Sequence, residues 1–206
     1  KTQGKVRMLG DGSATWTNNS TIAGWYHART GTGTTIVANN GGSNAGNLYS
    51  YGTGTDTDRA LGSVGSGNAA VGNLFWGVRL VNNTGATITS LDVSYTGEQW
   101  RNGGGTGLAQ TVVFSYQTGS TFTGSLAEFQ SAGTAVAALN FTSPIATTTA
   151  ASLNGNDAPN RVGRSSTITG LNIAPGGEIM LRWFDQDHDS SDHGLSIDDI
   201  SITPQG

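Results

Sequence analysis

The sequence predicts an all-β fold, an antiparallel β-sandwich of jelly-roll-like topology with little or no helix. Short runs of alternating apolar and polar residues recur along the chain, separated by turns rich in Gly and Asn. The 5 Trp, 5 Tyr and 6 Phe residues are spread through these apolar runs, which indicates a folded core and not a disordered chain. At 206 residues, the chain is long enough for one domain with a large core. We expect a single domain over 1–206, in which 1–20 form an N-terminal extension or an edge strand.

The alternation pattern predicts eleven strands in chain order. These strands are expected at 4–9, 21–28, 34–38, 47–51, 73–81, 86–96, 110–117, 135–141, 165–173, 177–185 and 195–203. Segment 126–139 is the best helix candidate, but Gly133 and Val136 lower its helix propensity.

Two hairpins are expected from turn residues that tolerate positive φ. The first joins the strand from Leu74 to the strand ending at Tyr95, through the turn 82–85. The second joins the strand ending at Ile173 to the strand of Ile179, through the turn 174–177.

The last strand contains an interruption of its alternation. Leu195 and Ile197 share one face, whereas Ile200 and Ile202 fall on the other. A β-bulge at 198–199 would return all four side chains to the core and aim one carboxylate towards the 185–192 loop.

Composition excludes several classes of protein. The net charge is −4, so no basic surface is expected for nucleic acid. Cys is absent, which excludes disulfides and thiolate metal sites. No apolar stretch has the length of a membrane span. Low charge with abundant Gly, Thr, Ser and Asn is typical of extracellular bacterial proteins, so we expect a secreted or cell-surface protein whose signal peptide has been removed before Lys1.

Six of the fourteen carboxylates lie within fifteen residues near the C-terminus. Anions gathered in this way repel one another unless a cation lies between them, and Ca²⁺ is the cation that prefers oxygen ligands. The spacing at the start of this segment resembles an EF-hand loop, but Ser190 and Ser196 replace the required Gly and Glu. We therefore expect a calcium site of another kind, formed by Asp185, Asp187, Asp189, Asp192, Asp198 and Asp199.

Two alternatives to calcium remain open at this segment. The carboxylates can form a solvated acidic loop, with the Asp residues serving as turn formers. Zinc becomes the interpretation if His188, His193 and one Asp converge. Otherwise the two histidines are hydrogen-bonding neighbours of the site.

A second group of polar residues follows the strand expected at 86–96. Glu98, Trp100 and Arg101 stand together there, with Gln99 between them. They are candidates for a sugar-binding site, in which the indole stacks on a ring and the polar groups bond to hydroxyls. In the alternative, Trp100 caps the core and Glu98 pairs with Arg101, or with another basic residue such as Arg59 or Arg182.

Enzyme signatures are mostly missing, and we expect no catalysis. There is no G-x-S-x-G motif. A Ser-His-Asp triad through His193 has no identifiable Ser. A glycosidase needs two suitably spaced carboxyls, but Glu98, Glu128 and Glu178 have no acidic companion nearby in the sequence.

Several strings of this sequence resemble a family of secreted bacterial jelly-roll-like β-sandwich domains. These domains occur in cell-surface and matrix proteins with PEP-CTERM-type or type IX sorting tails. The most specific strings are GEQWR at 97–101 and HGLSIDD at 193–199, and the resemblance spans roughly 20–203. It implies a sandwich outside the cell with no established catalysis.

Two functions are consistent with these observations. The first is a structural or adhesive surface or matrix protein that calcium stabilises, and whose segment Lys5 to Leu9 adds a strand to a neighbouring copy to build filaments. The alternative is a carbohydrate-binding module that binds cell-surface glycans, with Trp100, Tyr49, Tyr51, Trp25 or Trp76 offering aromatic faces.

Overall fold

The computed structural model describes residues 12–206, which form two β-sheets packed face to face. The strands follow one another along the chain as β1 (Ser13–Thr15), β2 (Trp25–Arg29), β3 (Thr35–Asn39), β4 (Asn47–Tyr51), β5 (Ala60–Val64), β6 (Leu74–Val81), β7 (Ser90–Asn102), β8 (Thr111–Gly119), β9 (Thr134–Ala135), β10 (Phe141–Thr142), β11 (Ala151–Ser152), β12 (Arg161–Ile168), β13 (Glu178–Asp185) and β14 (Gly194–Gln205). The helical elements are α1 (Leu126–Gln130) and two 3-10 turns, Ala137–Leu139 and Ala158–Asn160.

The larger sheet has the order β1-β3-β4-β5-β14-β7-β11, with β12 also paired to β7. The smaller sheet has the order β10-β8-β13-β6-β2, with β9 also paired to β8. All strand pairs are antiparallel except β3 with β4. The prediction of an antiparallel β-sandwich with little helix is therefore confirmed, with one parallel pair added.

The main core lies between the two sheets. Trp183 of β13 is fully buried and contacts the rings of Trp25, Trp76, Tyr95 and Phe114. Because these rings come from strands of both sheets, their burial joins the two layers.

Most of the predicted strands are present, with shifted ends. Segment 47–51 is confirmed as β4, and the strands expected at 73–81, 177–185 and 195–203 correspond to β6, β13 and β14. The strand expected at 4–9 lies outside the described residues. Strand β5 was not predicted, because Gly and Ser interrupt its apolar alternation.

The segment between β8 and β11 is less regular than expected. The predicted strand 135–141 consists of the short β9, a 3-10 turn and the start of β10. The helix expected over 126–139 ends at Gln130, just before Gly133. Its first turn is capped by Ser125, whose Oγ accepts a hydrogen bond from the Glu128 N–H at 3.2 Å.

The first predicted hairpin was wrong. Strand β6 lies in the smaller sheet and β7 in the larger one, so segment 82–85 crosses between the sheets. None of its four residues has a positive φ, so the turn type that closes a tight hairpin is not formed. Instead, the Asn82 side chain donates to Ala86 O and Ile173 O and ties the crossing to a distant segment.

The second predicted hairpin was wrong for a similar reason. Ile173 forms a bridge to Ile88, whereas β13 pairs with β6 and β8. The turn at 174–177 bonds to the first crossing, since Asn82 N donates to Gly177 O at 2.8 Å. Alternation predicted each strand here, but it did not identify the partner strand.

The predicted bulge in the last strand is confirmed. Asp198 pairs with Thr96 and Ser201 pairs with Ser94, so β14 has one extra residue at this point. Asp199 takes a φ of 52°, a left-handed value that Asp tolerates better than most residues. Ile197 and Ile200, on either side of the bulge, are both buried in the core.

Among residues 12–206, no helix has the length and apolar character that crossing a membrane requires.

Candidate functional site

The outward face of the larger sheet presents rows of small polar side chains across β14, β7 and β12. In one row, Ser201, Ser94 and Ser165 are paired side by side. Partners in antiparallel strands point to the same face, so these hydroxyls form a ladder on the surface.

The next row of this face contains a carboxylate. Thr203, Asp92 and Thr167 are paired side by side. The Thr167 hydroxyl donates to Asp92 Oδ1 at 2.7 Å, and the Gln205 side-chain amide donates to Asp92 Oδ2. We call these two rows the hydroxyl ladder: Asp92, Ser94, Ser165, Thr167, Ser201 and Thr203. They line a shallow depression of about 280 Å³.

Three carboxylates converge at one end of the hydroxyl ladder. One oxygen from each of Glu98, Asp198 and Asp199 lies within 4.8 Å of the others. We call these three residues the bulge triad, because β7 supplies Glu98 and the β14 bulge supplies the other two. Ser196 is paired with Glu98, and Asp198 with Thr96, so the register brings these carboxylates together.

The electrostatics of the bulge triad are those of buried anions. The pKa of Glu98 is raised to about 8, mainly by burial and also by the nearby Asp198 charge, against the opposing effect of a hydrogen bond from Trp100. Burial also raises the pKa of Asp198, together with the charges of Asp199 and Asp58. Both groups are almost fully inaccessible, whereas Asp199 is exposed.

The six carboxylates predicted as one calcium site divide between two places. Asp198 and Asp199 belong to the bulge triad. The charged groups that shift the pKa of Asp198 are Asp199 and Asp58, and none of them belongs to the 185–192 loop. The expectation that the bulge aims a carboxylate at that loop is corrected, because Asp198 pairs with Thr96 of β7 and Asp199 lines a depression with Ser94 and Thr96. A single ion held by all six residues stays a prediction.

A second group of carboxylates forms at the end of β13. Asp185 is buried and accepts a hydrogen bond from Ser63 Oγ at 2.5 Å. Burial raises its pKa well above the ordinary range, and the charges of Asp192 and Asp187 add to this. Asp189 is exposed. Among the His, Asp and Glu side chains of residues 12–206, only those of the bulge triad bring three ligand atoms within 4.8 Å of one another.

The two histidines of this segment have structural partners. His193 Nδ1 accepts from the Gly103 N–H at 2.8 Å, and its Nε2 lies 3.0 Å from Leu108 O, so both ring nitrogens are engaged. His188 N donates to Asp192 Oδ2 at 3.1 Å. The His188 ring has no such partner at Nδ1, which is buried. That the two histidines are hydrogen-bonding neighbours of a metal site stays a prediction.

The predicted sugar-binding residues are enclosed by loops. Trp100 is 1% exposed, and its indole stacks on Tyr51 with ring centroids 5.9 Å apart. The connection between β3 and β4 lies over this strand: a Cβ on Gly41, where φ is +90°, would come within 1.9 Å of Trp100 O. Arg101 Nη1 donates to Gly41 O at 3.1 Å and holds the same loop.

The other aromatic residues named as sugar platforms are also buried. They are Trp25, Tyr49, Tyr51 and Trp76, each at most 2% exposed. Any carbohydrate must therefore be bound by other side chains.

The expected pairing of Glu98 with an arginine was wrong. Glu98 Oε1 accepts a hydrogen bond from Trp100 Nε1 at 3.1 Å. Arg59 Nη2 donates to Ser50 O, and Arg182 Nη1 donates to Glu128 O and Ser131 O.

Sequence analysis missed the neighbours of Glu98. The predicted bulge was the available signal, but the partner strand of β14 was not identified, so Glu98 was considered without an acidic companion. The hydroxyl ladder was also missed, because single Ser and Thr residues in strands have no distinctive spacing.

No protein-family model and no curated protein matches this chain. Solved structures with similar folds include the enzymatically active domain of bacteriophage CBA120 tailspike protein 4, with 8% identity and a TM-score of 0.42 over 88% of this chain and 19% of that chain. They also include a non-crystalline cellulose specific carbohydrate-binding module, CBM28, with 14% identity and a TM-score of 0.36 over 96% and 97% of the two chains. A third is the N-terminal cellulose-binding domain of Cellulomonas fimi β-1,4-glucanase C, with 16% identity and a TM-score of 0.33 over 92% of each chain. Because these TM-scores lie below 0.5, the likeness identifies neither a ligand nor a binding site in this chain.

Proposed function

We propose that this β-sandwich is a non-catalytic binding domain that takes a carbohydrate on the hydroxyl ladder. The observation that carries the proposal is the pairing of Ser201, Ser94 and Ser165 in one row and of Thr203, Asp92 and Thr167 in the next. Small polar side chains on adjacent strands leave a flat surface dense in hydrogen-bond donors and acceptors.

The chemistry of this surface selects an uncharged, hydroxylated ligand. Serine and threonine hydroxyls both donate and accept, as sugar hydroxyls do. The Asp92 carboxylate accepts charge-assisted hydrogen bonds, which are stronger than those between neutral groups. The net charge of −4 disfavours polyanions as partners.

The expected surface or matrix role with filament assembly stays a prediction. Its strand-adding segment, Lys5 to Leu9, lies outside the described residues. Extracellular location likewise stays an expectation from composition, and it agrees with the glycan proposal.

We expect the purified protein to bind soluble plant or bacterial polysaccharides in a glycan array, and a Ser94→Tyr variant to bind at least tenfold more weakly. The tyrosine ring would fill the depression between Asp92 and Ser165. Asp92→Asn should weaken binding about tenfold, since a hydrogen bond to a charged group contributes roughly 1.5–3 kcal/mol.

The matched control is Val113→Tyr, which places the same ring at an exposed position of β8 in the smaller sheet. This control should bind glycans as the wild type does. Unchanged binding by Ser94→Tyr, or an array without hits, would contradict the proposal.

A further inference from the structure

We propose that the bulge triad of Glu98, Asp198 and Asp199 binds one Ca²⁺ ion, which joins strands β7 and β14 on the outer face of the larger sheet. This site differs from the ligand set expected from sequence, because it includes Glu98 and omits the 185–192 loop. The inference does not rest on glycan binding.

The geometry of the triad fits a single ion. Calcium binds oxygen at about 2.3–2.6 Å, so ligands on opposite sides of the ion lie at most about 5 Å apart. The triad oxygens lie within 4.8 Å of one another. Two strands that are already paired supply them, so little backbone ordering is needed on binding.

An unpartnered buried atom points to a ligand here. Asp198 is 3% exposed, and its Oδ1 has no hydrogen-bond partner. Asp58 is close enough to raise the pKa of Asp198, so a further carboxyl group lies near the site. A buried carboxylate oxygen without a donor is costly, and a cation removes that cost.

Two arginines of β12, Arg161 and Arg164, lie beside the triad, and neither forms an ion pair with it. Arg161 is paired with Glu98 in the register of β12, but it is exposed and makes no such contact. Arg164, which lines the adjacent depression with Asp199, donates to Ala138 O at 3.1 Å. A bound cation would supply the positive charge that these two arginines do not place on the triad.

The ligand chemistry favours calcium over other divalent ions. All three ligands are carboxylates, without the nitrogen or sulfur donors typical of zinc sites. Magnesium keeps several of its waters and demands near-octahedral geometry, whereas calcium accepts an irregular set. Exposed Asp199 lines a depression with Ser94 and Thr96, which gives the ion a path in and leaves room for water ligands.

A shared proton is the competing explanation. Without an ion, Glu98 can stay protonated at neutral pH and donate to Asp198, as its raised pKa permits. The two explanations differ in whether the protein binds Ca²⁺, because a shared proton stabilises the triad without any metal ion.

The test uses the full chain, dialysed against a chelator and then titrated with CaCl₂ in a calorimeter. We expect one Ca²⁺ per chain and a rise in Tm of about 5 °C or more at saturation. Glu98→Gln and Asp198→Asn should weaken Ca²⁺ binding at least tenfold. Asp199→Asn should also weaken it, and this variant keeps the fold because its side chain is exposed and Asn tolerates the same φ.

The matched control is Asp187→Asn, which removes a carboxylate of the second group. It should bind Ca²⁺ as the wild type does. If Asp187→Asn abolishes binding while Asp199→Asn does not, the ion lies at the end of β13 and the proposal is wrong. If the wild type neither binds Ca²⁺ at 1 mM nor changes its Tm, the calcium proposal is wrong and the shared proton is favoured. A glycan array without hits would not affect this result.

Discussion

Replacing Trp100 with alanine is expected to lower the free energy of unfolding by about 3–5 kcal/mol, the usual cost of truncating a buried aromatic side chain. The indole is 1% exposed and packs with Tyr49, Tyr51, Ala60 and Val64 in a small core on the outer face of the larger sheet. Loops lie over this core, so the cavity left by truncation would not be filled by solvent at low cost. Denaturant unfolding followed by tryptophan fluorescence and circular dichroism measures the loss.

Two further variants separate packing from hydrogen bonding at this position. Trp100→Phe keeps an aromatic ring but removes the Nε1–H that donates to Glu98. It should cost about 1–3 kcal/mol, because a buried acceptor loses its donor. Val113→Ala, at an exposed position of the smaller sheet, should stay within about 0.5 kcal/mol of the wild type.

The same experiment distinguishes the two interpretations of GEQWR. If Trp100 were a sugar platform, its removal would abolish glycan binding with little effect on stability. A loss of stability below 1 kcal/mol would contradict the buried position that the fold gives it.

Local sequence patterns were enough to predict the fold class. The pairing of strands that are distant in the sequence was not predicted. The alternation of Leu195, Ile197, Ile200 and Ile202 was enough to predict the bulge, because the bulge is a property of one strand. The turn at 82–85 was misjudged because Gly and Asn permit a hairpin without requiring one. Whether the chain turns back or crosses to the other sheet depends on where the apolar faces of both strands are buried.

The candidate site also depends on strand pairing that the sequence does not reveal. Glu98 and Asp198 are a hundred residues apart in sequence and meet only because β7 and β14 are neighbours. A dense acidic segment was visible, but its division into two groups was not. The alternative in which Trp100 caps the core agrees with its burial, but the loops at 40–46 and 153–157 that cover it have no regular pattern and were not predicted to do so.

Asp192→Asn is expected to stabilise the protein at pH 8, in the presence of a chelator, by roughly 2 kcal/mol, about half of what a shift of three pKa units gives for a group fully shielded from water. The pKa of Asp192 is raised to about 7, mainly by burial and also by the charge of Asp187, against the opposing effect of the hydrogen bond from the His188 N–H. One pKa unit corresponds to about 1.4 kcal/mol. The asparagine keeps an oxygen that can accept from His188 and has no charge to bury.

The sign of the effect fixes its pH window. The folded state holds a proton on Asp192 more tightly than the unfolded state, so ionisation opposes folding. The cost to the wild type is absent below pH 4, grows as the pH rises through the interval up to about 7, and is constant above it. The difference between variant and wild type should follow the same course, near zero at pH 4 and largest at pH 8.

The difference in stability between Asp192→Asn and the wild type cancels the effect of most other titrating groups. His27, whose pKa burial lowers to about 3, shapes the acid limb of both proteins equally. Asp185, Asp187 and His188 face Asp192 directly, so their coupling to it is part of the measured difference. Asp157→Asn, at an exposed position whose side chain makes no capping hydrogen bond, should change stability by less than about 0.5 kcal/mol. If Asp192→Asn destabilises the protein at pH 8 with calcium and not with chelator, the ionised carboxylate is a metal ligand, and the second group of carboxylates binds the ion expected from the sequence.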